Sequence, residues 1–210
     1  MNITMIGVGN VGRALGPRWA DLGHTITYAV RDPESERHAE LLDQTHNGRA
    51  ATVDAATAGA DVVLIAVPWD AAESVARGLT LGPTTIVIDA TNPLLPAFAG
   101  LDPEAAPSGG ERIAEWTGST RVVKSFSTTG SANMTNPGYP GASPAMLLAG
   151  DDASAKEVVA KLAAGVGFEP VDAGPLFMSR ALEEMALLWI RLAYVHGNGP
   201  NIAFALLRRP

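Results

Sequence analysis

The 210-residue sequence contains no cysteine, which removes disulfides, thiolate metal ligands and cysteine nucleophiles together. Redox chemistry, if there is any, must then be carried by a bound cofactor. Positive charge is also in deficit, with 15 Lys and Arg against 22 Asp and Glu and a formal net charge of −7. That balance argues against nonspecific nucleic-acid binding and against an anionic membrane surface as the main partner. Histidine is sparse: His24, His38, His46 and His196 are dispersed without ligand spacing, and no metal site is expected. Long apolar runs are missing too, since even the segment from Ala181 to Val195 carries Glu183, Glu184 and Arg191. No basic segment precedes the first apolar run, so a strand rather than a signal peptide is expected there, in a cytoplasmic protein.

The chain has 47% hydrophobic and 18% charged residues, an ordinary soluble composition. Its length suits one domain, or one domain with a small appendage. The most informative stretch is MNITMIGVGNVGRALG, Met1 to Gly16. Ile3, Met5 and Ile6 form an apolar run, and Gly7, Gly9 and Gly12 follow with G-x-G-x-x-G spacing. This is the pattern that opens the first helix of a dinucleotide-binding βαβ unit. Gly7 allows the tight turn, Gly9 admits a pyrophosphate close to the backbone, and Gly12 lets helix and sheet approach. A helix beginning near Asn10 then directs its free amides and positive dipole end at the phosphates, which brings Val8, Asn10 and Val11 into the candidate set.

Downstream, strands are predicted at His24–Val30, Asp61–Val67, Thr85–Asp89, Thr120–Lys124, Ala145–Ala149 and Glu169–Asp172. Helices are predicted over residues 10–22, 33–44, 111–116 and 153–164, and from Ser179 onward. Residues 45–48, 101–110 and 133–143 read as loops. The alternation predicts an α/β, Rossmann-like, doubly wound and mostly parallel sheet. One NADP-binding domain is expected over 1–210, with 174–210 as a helical C-terminal segment. Its apolar positions cover two faces, so one of them needs a partner such as a twofold-related copy.

Arg31 follows the second strand, where an arginine accommodates the 2′-phosphate of NADP(H), and Ser35 and Arg37 lie within reach. Parallel strands share their carboxyl ends, so Val67, Pro68 and Trp69, then Asn92 and Pro93, belong to the same crevice as the glycine turn. Lys124 and Ser127 are the candidates for polarising a substrate, Lys124 as a general acid.

With these residues in view, together with Asp172-Ala173-Gly174-Pro175-Leu176 and Ser179-Arg180, the chain resembles the NADP oxidoreductases that use the deazaflavin coenzyme F420. The resemblance runs over nearly the whole length. Ala90-Thr91-Asn92-Pro93 and Lys124-Ser125-Phe126-Ser127-Thr128 are also similar to the reductase domains of six-transmembrane metalloreductases. The resemblance implies a homodimer in which NADP(H) and a deazaflavin or flavin ring stack at the sheet's carboxyl edge. It implies Gly7, Gly9, Asn10, Val11 and Gly12 at the pyrophosphate, Arg31 at the 2′-phosphate, and Pro68 and Trp69 beside the nicotinamide. Val8, Val30, Ser35 and Ser127 stand where the family carries a threonine, a hydroxyl residue, a lysine and a histidine.

Hydride transfer between two rings asks for position, at about 3 to 3.5 Å, more than for acid-base chemistry. The expected activity is therefore hydride transfer between NADP(H) and a deazaflavin or flavin. The alternatives are an NADPH-dependent reductase of a small carbonyl, imine or ferric substrate, and a noncatalytic NADP(H) sensor.

Overall fold

A computed structural model describes residues 1–209. The N-terminal apolar run forms strand β1 (Asn2–Ile6), buried over its last four residues, and the glycine turn leads into helix α1 (Asn10–Asp21). The β-branched run after Gly23 gives β2 (Thr25–Ala29), parallel to β1 with Ile3 opposite Ile26. Next come α2 (Ala39–Asp43), β3 (Gly48–Ala51), α3 (Val53–Thr57) and β4 (Val62–Ile65). All four residues of β4 are buried, as expected of a strand covered on both faces. Then follow α4 (Trp69–Arg77), β5 (Ile86–Asp89), α5 (Gly109–Thr117), β6 (Val122–Lys124) and α6 (Ser131–Thr135). The remaining elements are β7 (Ala145–Gly150), α7 (Ala153–Gly165), β8 (Glu169–Asp172) and α8 (Ser179–Ile190), which runs into a π-helical turn over Arg191–Val195.

The strands make one eight-stranded sheet in the order β3-β2-β1-β4-β5-β6-β7-β8. Every neighbouring pair is parallel except β6 and β7. The chain turns outward from β1 toward β3, then returns to place β4 on β1's other side. A topological switch point therefore lies between β1 and β4, and ligands of such sheets sit there, outside the carboxyl ends of the strands. One face of the sheet is covered around Leu15, Trp19, Leu162 and Phe126, the other around Ala72, Ala76 and Ile113. Trp19 and Phe126 meet edge to face with centroids 5.5 Å apart.

Several elements differ from the sequence expectation. Residues 48–51 form a strand rather than the end of a loop; GRAA is an edge strand with no fully buried residue, so it carries no apolar signature. The five-residue helices α3 and α6 are too short to show a 3.6 period. The helix expected over 33–44 is a 3-10 turn at Glu36–His38 followed by α2. The C-terminal segment is helical only to Val195, because Gly197 and Gly199 take positive φ and Pro200 follows. Beyond it the described residues form no regular element and are tied down where the Trp189 indole N–H donates to the Ile202 carbonyl at 2.7 Å and the Ala145 amide to the Phe204 carbonyl at 2.8 Å.

Candidate cofactor and active site

At the switch point the glycine turn has the shape its spacing implies. Gly7 sits at φ +110°, and a Cβ there would collide with the Ala66 carbonyl. A Cβ on Gly12 would collide with the Gly7 carbonyl, so helix and turn are in direct contact. Gly9 is different, since nothing lies within 4 Å of where its Cβ would be. Its missing side chain leaves open space at the start of α1, whose first turn has no side-chain cap and no acidic residue. A diphosphate fits such a place, with unpaired amides and a positive dipole end before it.

A groove of about 580 Å³ runs from this turn across the ends of β1 and β2. It brings together Gly7, Val8, Arg31, Arg37, Val67 and Pro68 of the predicted set. Gly9, Asn10, Val11 and Gly12 continue the same turn, and Ser35 lies outside the groove's lining. Among the lining residues that were not predicted, two are polar, Arg13 and His38. Arg13, one turn into α1, donates from Nε to the Val8 carbonyl at 3.1 Å and braces the loop. His38 is buried, with Nε2 accepting from Arg37 Nε at 3.3 Å. The only available signal for either was proximity in sequence to the glycine motif and to Arg31. The lining holds Arg13, Arg31 and Arg37 and no carboxylate, so its field favours an anion.

Beyond Pro68 lies a second pocket, of about 590 Å³, and Trp69 belongs to it rather than to the basic groove. The Trp69 ring packs on Trp116 with centroids 5.3 Å apart, and its Nε1 donates to Asp102 Oδ2 at 3.3 Å.

At the ends of β5 and β6 the arrangement is closed. Lys124 is fully buried, and its ammonium contacts Asp89 Oδ2 at 2.8 Å, Glu183 Oε1 at 3.0 Å and the Thr91 carbonyl at 2.6 Å. Burial alone would pull its pKa down, but the two carboxylates outweigh that and hold it above the ordinary lysine value. The general-acid role expected of Lys124 is therefore corrected. All three of its protons are committed, none faces a cleft, and the residue fastens β5, β6 and α8 together. Glu183 also accepts from the Gly109 and Gly110 amides at the start of α5, at 3.2 and 3.1 Å. This triad was not legible because Asp89, Lys124 and Glu183 are far apart in sequence. Asn92 donates to the Ser127 carbonyl at 3.0 Å, and Pro93 is buried behind it. Between Ser125 and Ser127, Phe126 takes a left-handed conformation at φ +56°, and both flanking hydroxyls are buried without a hydrogen-bond partner in the protein. Ser127 thus sits at the expected edge but under cover.

Known proteins share the N-terminal sequence pattern and the fold. The sequence profile of the family described as "NADP oxidoreductase coenzyme F420-dependent" matches residues 2–93. A candidate F420-dependent NADP-reductase from Arthrobacter sp. FB24 is similar in structure, with a TM-score of 0.82 and 28% identity over 99% of this chain and 100% of that one. A hypothetical protein of Sinorhizobium meliloti is similar at a TM-score of 0.77 and 25% identity, over 100% of this chain and 96% of that one. A reductive aminase from Aspergillus terreus, solved with NADPH, shares the fold at a TM-score of 0.65 and 20% identity; 93% of this chain covers 62% of that longer enzyme. Through residues 2–93 the chain is similar to the family of NADP oxidoreductases described as coenzyme F420-dependent.

Proposed function

We propose that the chain binds NADP(H) across the switch point and passes hydride between its nicotinamide and a planar acceptor, a deazaflavin or flavin, at the carboxyl edge of the sheet. The observation that carries the reading is the open space at Gly9 before an uncapped helix, continuous with a groove holding three arginines. In it, Gly7, Val8, Gly9, Asn10, Val11 and Gly12 hold the diphosphate and Arg31 and Arg37 hold the 2′-phosphate. Val67 and Pro68 border the nicotinamide end. Bound NADPH supplies a hydride; the protein supplies alignment and a shielded edge, and no proton donor is needed from Lys124. The F420 acceptor is supported by the family match and by the likeness to the Arthrobacter protein.

A second reading, reduction of an imine, is favoured by the acidic pocket beyond Pro68. For assembly we propose a homodimer through α8, since Leu188, Tyr194 and Val195 are at least half exposed along it and Phe177, 62% exposed, lies just before it. Calorimetry with NADPH and NADH tests the central claim, and Arg31→Ala is the informative variant. NADPH affinity is expected to fall by about 1 to 3 kcal/mol for a lost charge-assisted contact, and NADH affinity to change little. Equal loss for both nucleotides would remove Arg31 from the 2′-phosphate. NADPH oxidation assayed anaerobically with F420, FMN and FAD then identifies the acceptor.

A further inference from the structure

Arg37 brings its charge to the basic groove on a turn that fixes its backbone. The 3-10 turn Glu36–His38 is closed by the His38 amide on the Ser35 carbonyl at 3.1 Å, and α2 starts at the next residue. Successive side chains on such a turn point about 120° apart, so an arginine meets the histidine after it only if its stem folds back. Here it does. Arg37 Nε donates to His38 Nε2 at 3.3 Å, and both residues line the groove. The ring is 4% exposed, which makes it a fixed anchor for an exposed guanidinium.

The same bond places the proton on the ring. A guanidinium only donates, so Nε2 is the bare nitrogen of a neutral imidazole and Nδ1 carries the hydrogen. That Nδ1 is buried without a hydrogen-bond partner among the described residues. An unpaired buried donor is destabilising, and packing alone does not explain it. The fold thus accepts a local penalty to aim a cation that nothing in the chain answers, since among the described residues neither Arg31 nor Arg37 forms a salt bridge.

We propose that His38 is a positioning residue for recognition of the 2′-phosphate: by holding Nε it presents the two terminal nitrogens of Arg37 as a ready fork for a phosphate monoester. His38 thereby sets the preference for NADP(H) over NAD(H). An arginine fork pairs with phosphate through two parallel hydrogen bonds, and a side chain already held in place loses less freedom when the ligand arrives. This role rests on the reading that the groove takes NADP(H) with Arg37 at the 2′-phosphate.

The test is calorimetry with NADPH against NADH and with adenosine 2′,5′-bisphosphate against AMP, two pairs whose members differ by the 2′-phosphate. Wild type should favour the phosphorylated member of each. His38→Leu keeps the bulk and drops the acceptor. It should weaken NADPH and the bisphosphate about tenfold, roughly 1.4 kcal/mol, and NADH and AMP by less than about twofold. His38→Gln, whose side-chain carbonyl takes the place of Nε2, should restore both to within about threefold of wild type. Arg37→Ala should weaken NADPH at least as much as His38→Leu does, and the double variant should bind no more weakly than Arg37→Ala, because one residue acts through the other. Thermal unfolding checks that each variant is folded, and if His38→Leu is not, His38→Asn, too short to reach the Nε2 position, replaces it. Equal losses within each pair, no rescue by His38→Gln, or additive losses in the double variant would overturn the role of His38 and leave the cofactor reading intact. A wild type that binds NADPH and NADH equally, or neither, would overturn the cofactor reading and this role with it.

Discussion

Replacing Lys124 with methionine should be one of the most damaging single changes in the protein. Methionine fills a similar volume without charge, so the loss is electrostatic. It leaves Asp89 and Glu183, both fully buried, facing each other's field with no cation between them. Removing one partner of a buried ion pair costs about 3 to 5 kcal/mol. For a chain of this length each kcal/mol moves Tm by about 2 to 4 °C, so a fall of about 6 to 20 °C is expected. Glu183→Gln should cost less, because it removes the surplus negative charge of a cluster holding two carboxylates and one ammonium, and its amide oxygen still accepts from α5. Arg121→Met is the surface control, since its pair with Asp152 is partly solvated and worth about 0 to 1 kcal/mol.

The pH dependence has a definite sign. The folded pKa of Lys124 is raised, so the stability it contributes is complete below the ordinary lysine value of 10.5 and is lost only as pH rises through the elevated folded value. Urea unfolding of wild type and Lys124→Met between pH 7 and 10 should thus give a constant gap. A cost below 1 kcal/mol, a gap that closes near neutrality, or a larger cost for Glu183→Gln than for Lys124→Met would refute the electrostatic account.

The glycine turn separates binding from folding. Gly9→Val should leave urea stability nearly unchanged, because its side chain meets open space, yet lower NADPH affinity by tenfold or more in calorimetry. Gly12→Ala should destabilise the fold by about 1 to 3 kcal/mol, because its methyl drives into the Gly7 carbonyl. At low pH, Asp172 reports on the far edge. Burial raises its pKa, but Lys156 at 2.8 Å and the Gly174 amide outweigh that and lower it. The stability it contributes is therefore present above 3.8 and lost as pH falls through the depressed value, so the gap between wild type and Asp172→Asn should close only in acid.

Where burial is two-sided and runs are apolar, the fold was legible in the sequence: β4, β5 and the β1 turn fall within a few residues of expectation because every position there answers to packing. The edge strand β3 answers to none, and the reversal at β7 depends on how α6 and residues 136–144 return the chain, which no local pattern encodes. At the site, Gly7, Gly12, Arg31 and Pro68 were legible because motif spacing fixes a turn and a strand end. Trp69 lies at the expected edge but lines the pocket beyond Pro68 rather than the basic groove, since sequence places a residue at a strand's end without fixing which neighbours its ring meets. The role of Lys124 was misjudged for a related reason. A lysine ending a strand looks the same whether its amine reaches a cleft or two carboxylates brought from 35 and 59 positions away.

The helix starts show why an anion has one preferred seat at this edge. Every long helix exposes unpaired amides at its N-terminus, and a fold expecting no ligand supplies its own acceptors. At α5 the Ser108 hydroxyl accepts the Glu111 amide, and Glu183 takes the amides of Gly109 and Gly110. At α7 Asp152 accepts the Ala155 amide, and α4, without a side-chain cap, places the Asp70 charge in its first turn. Helix α8 continues from the 3-10 turn at Leu176–Met178, so its start is not a free end. Among the long helices of the described residues, α1 alone begins at a residue without a side chain, with no carboxylate in its first turn and empty space in front of it. The same economy appears in charge: carboxylates occupy the pocket beyond Trp69, and arginines the groove that α1 faces. A dinucleotide entering this crevice is therefore oriented before any base-specific contact forms. An anionic phosphate is favoured on the α1 side and disfavoured on the Trp69 side.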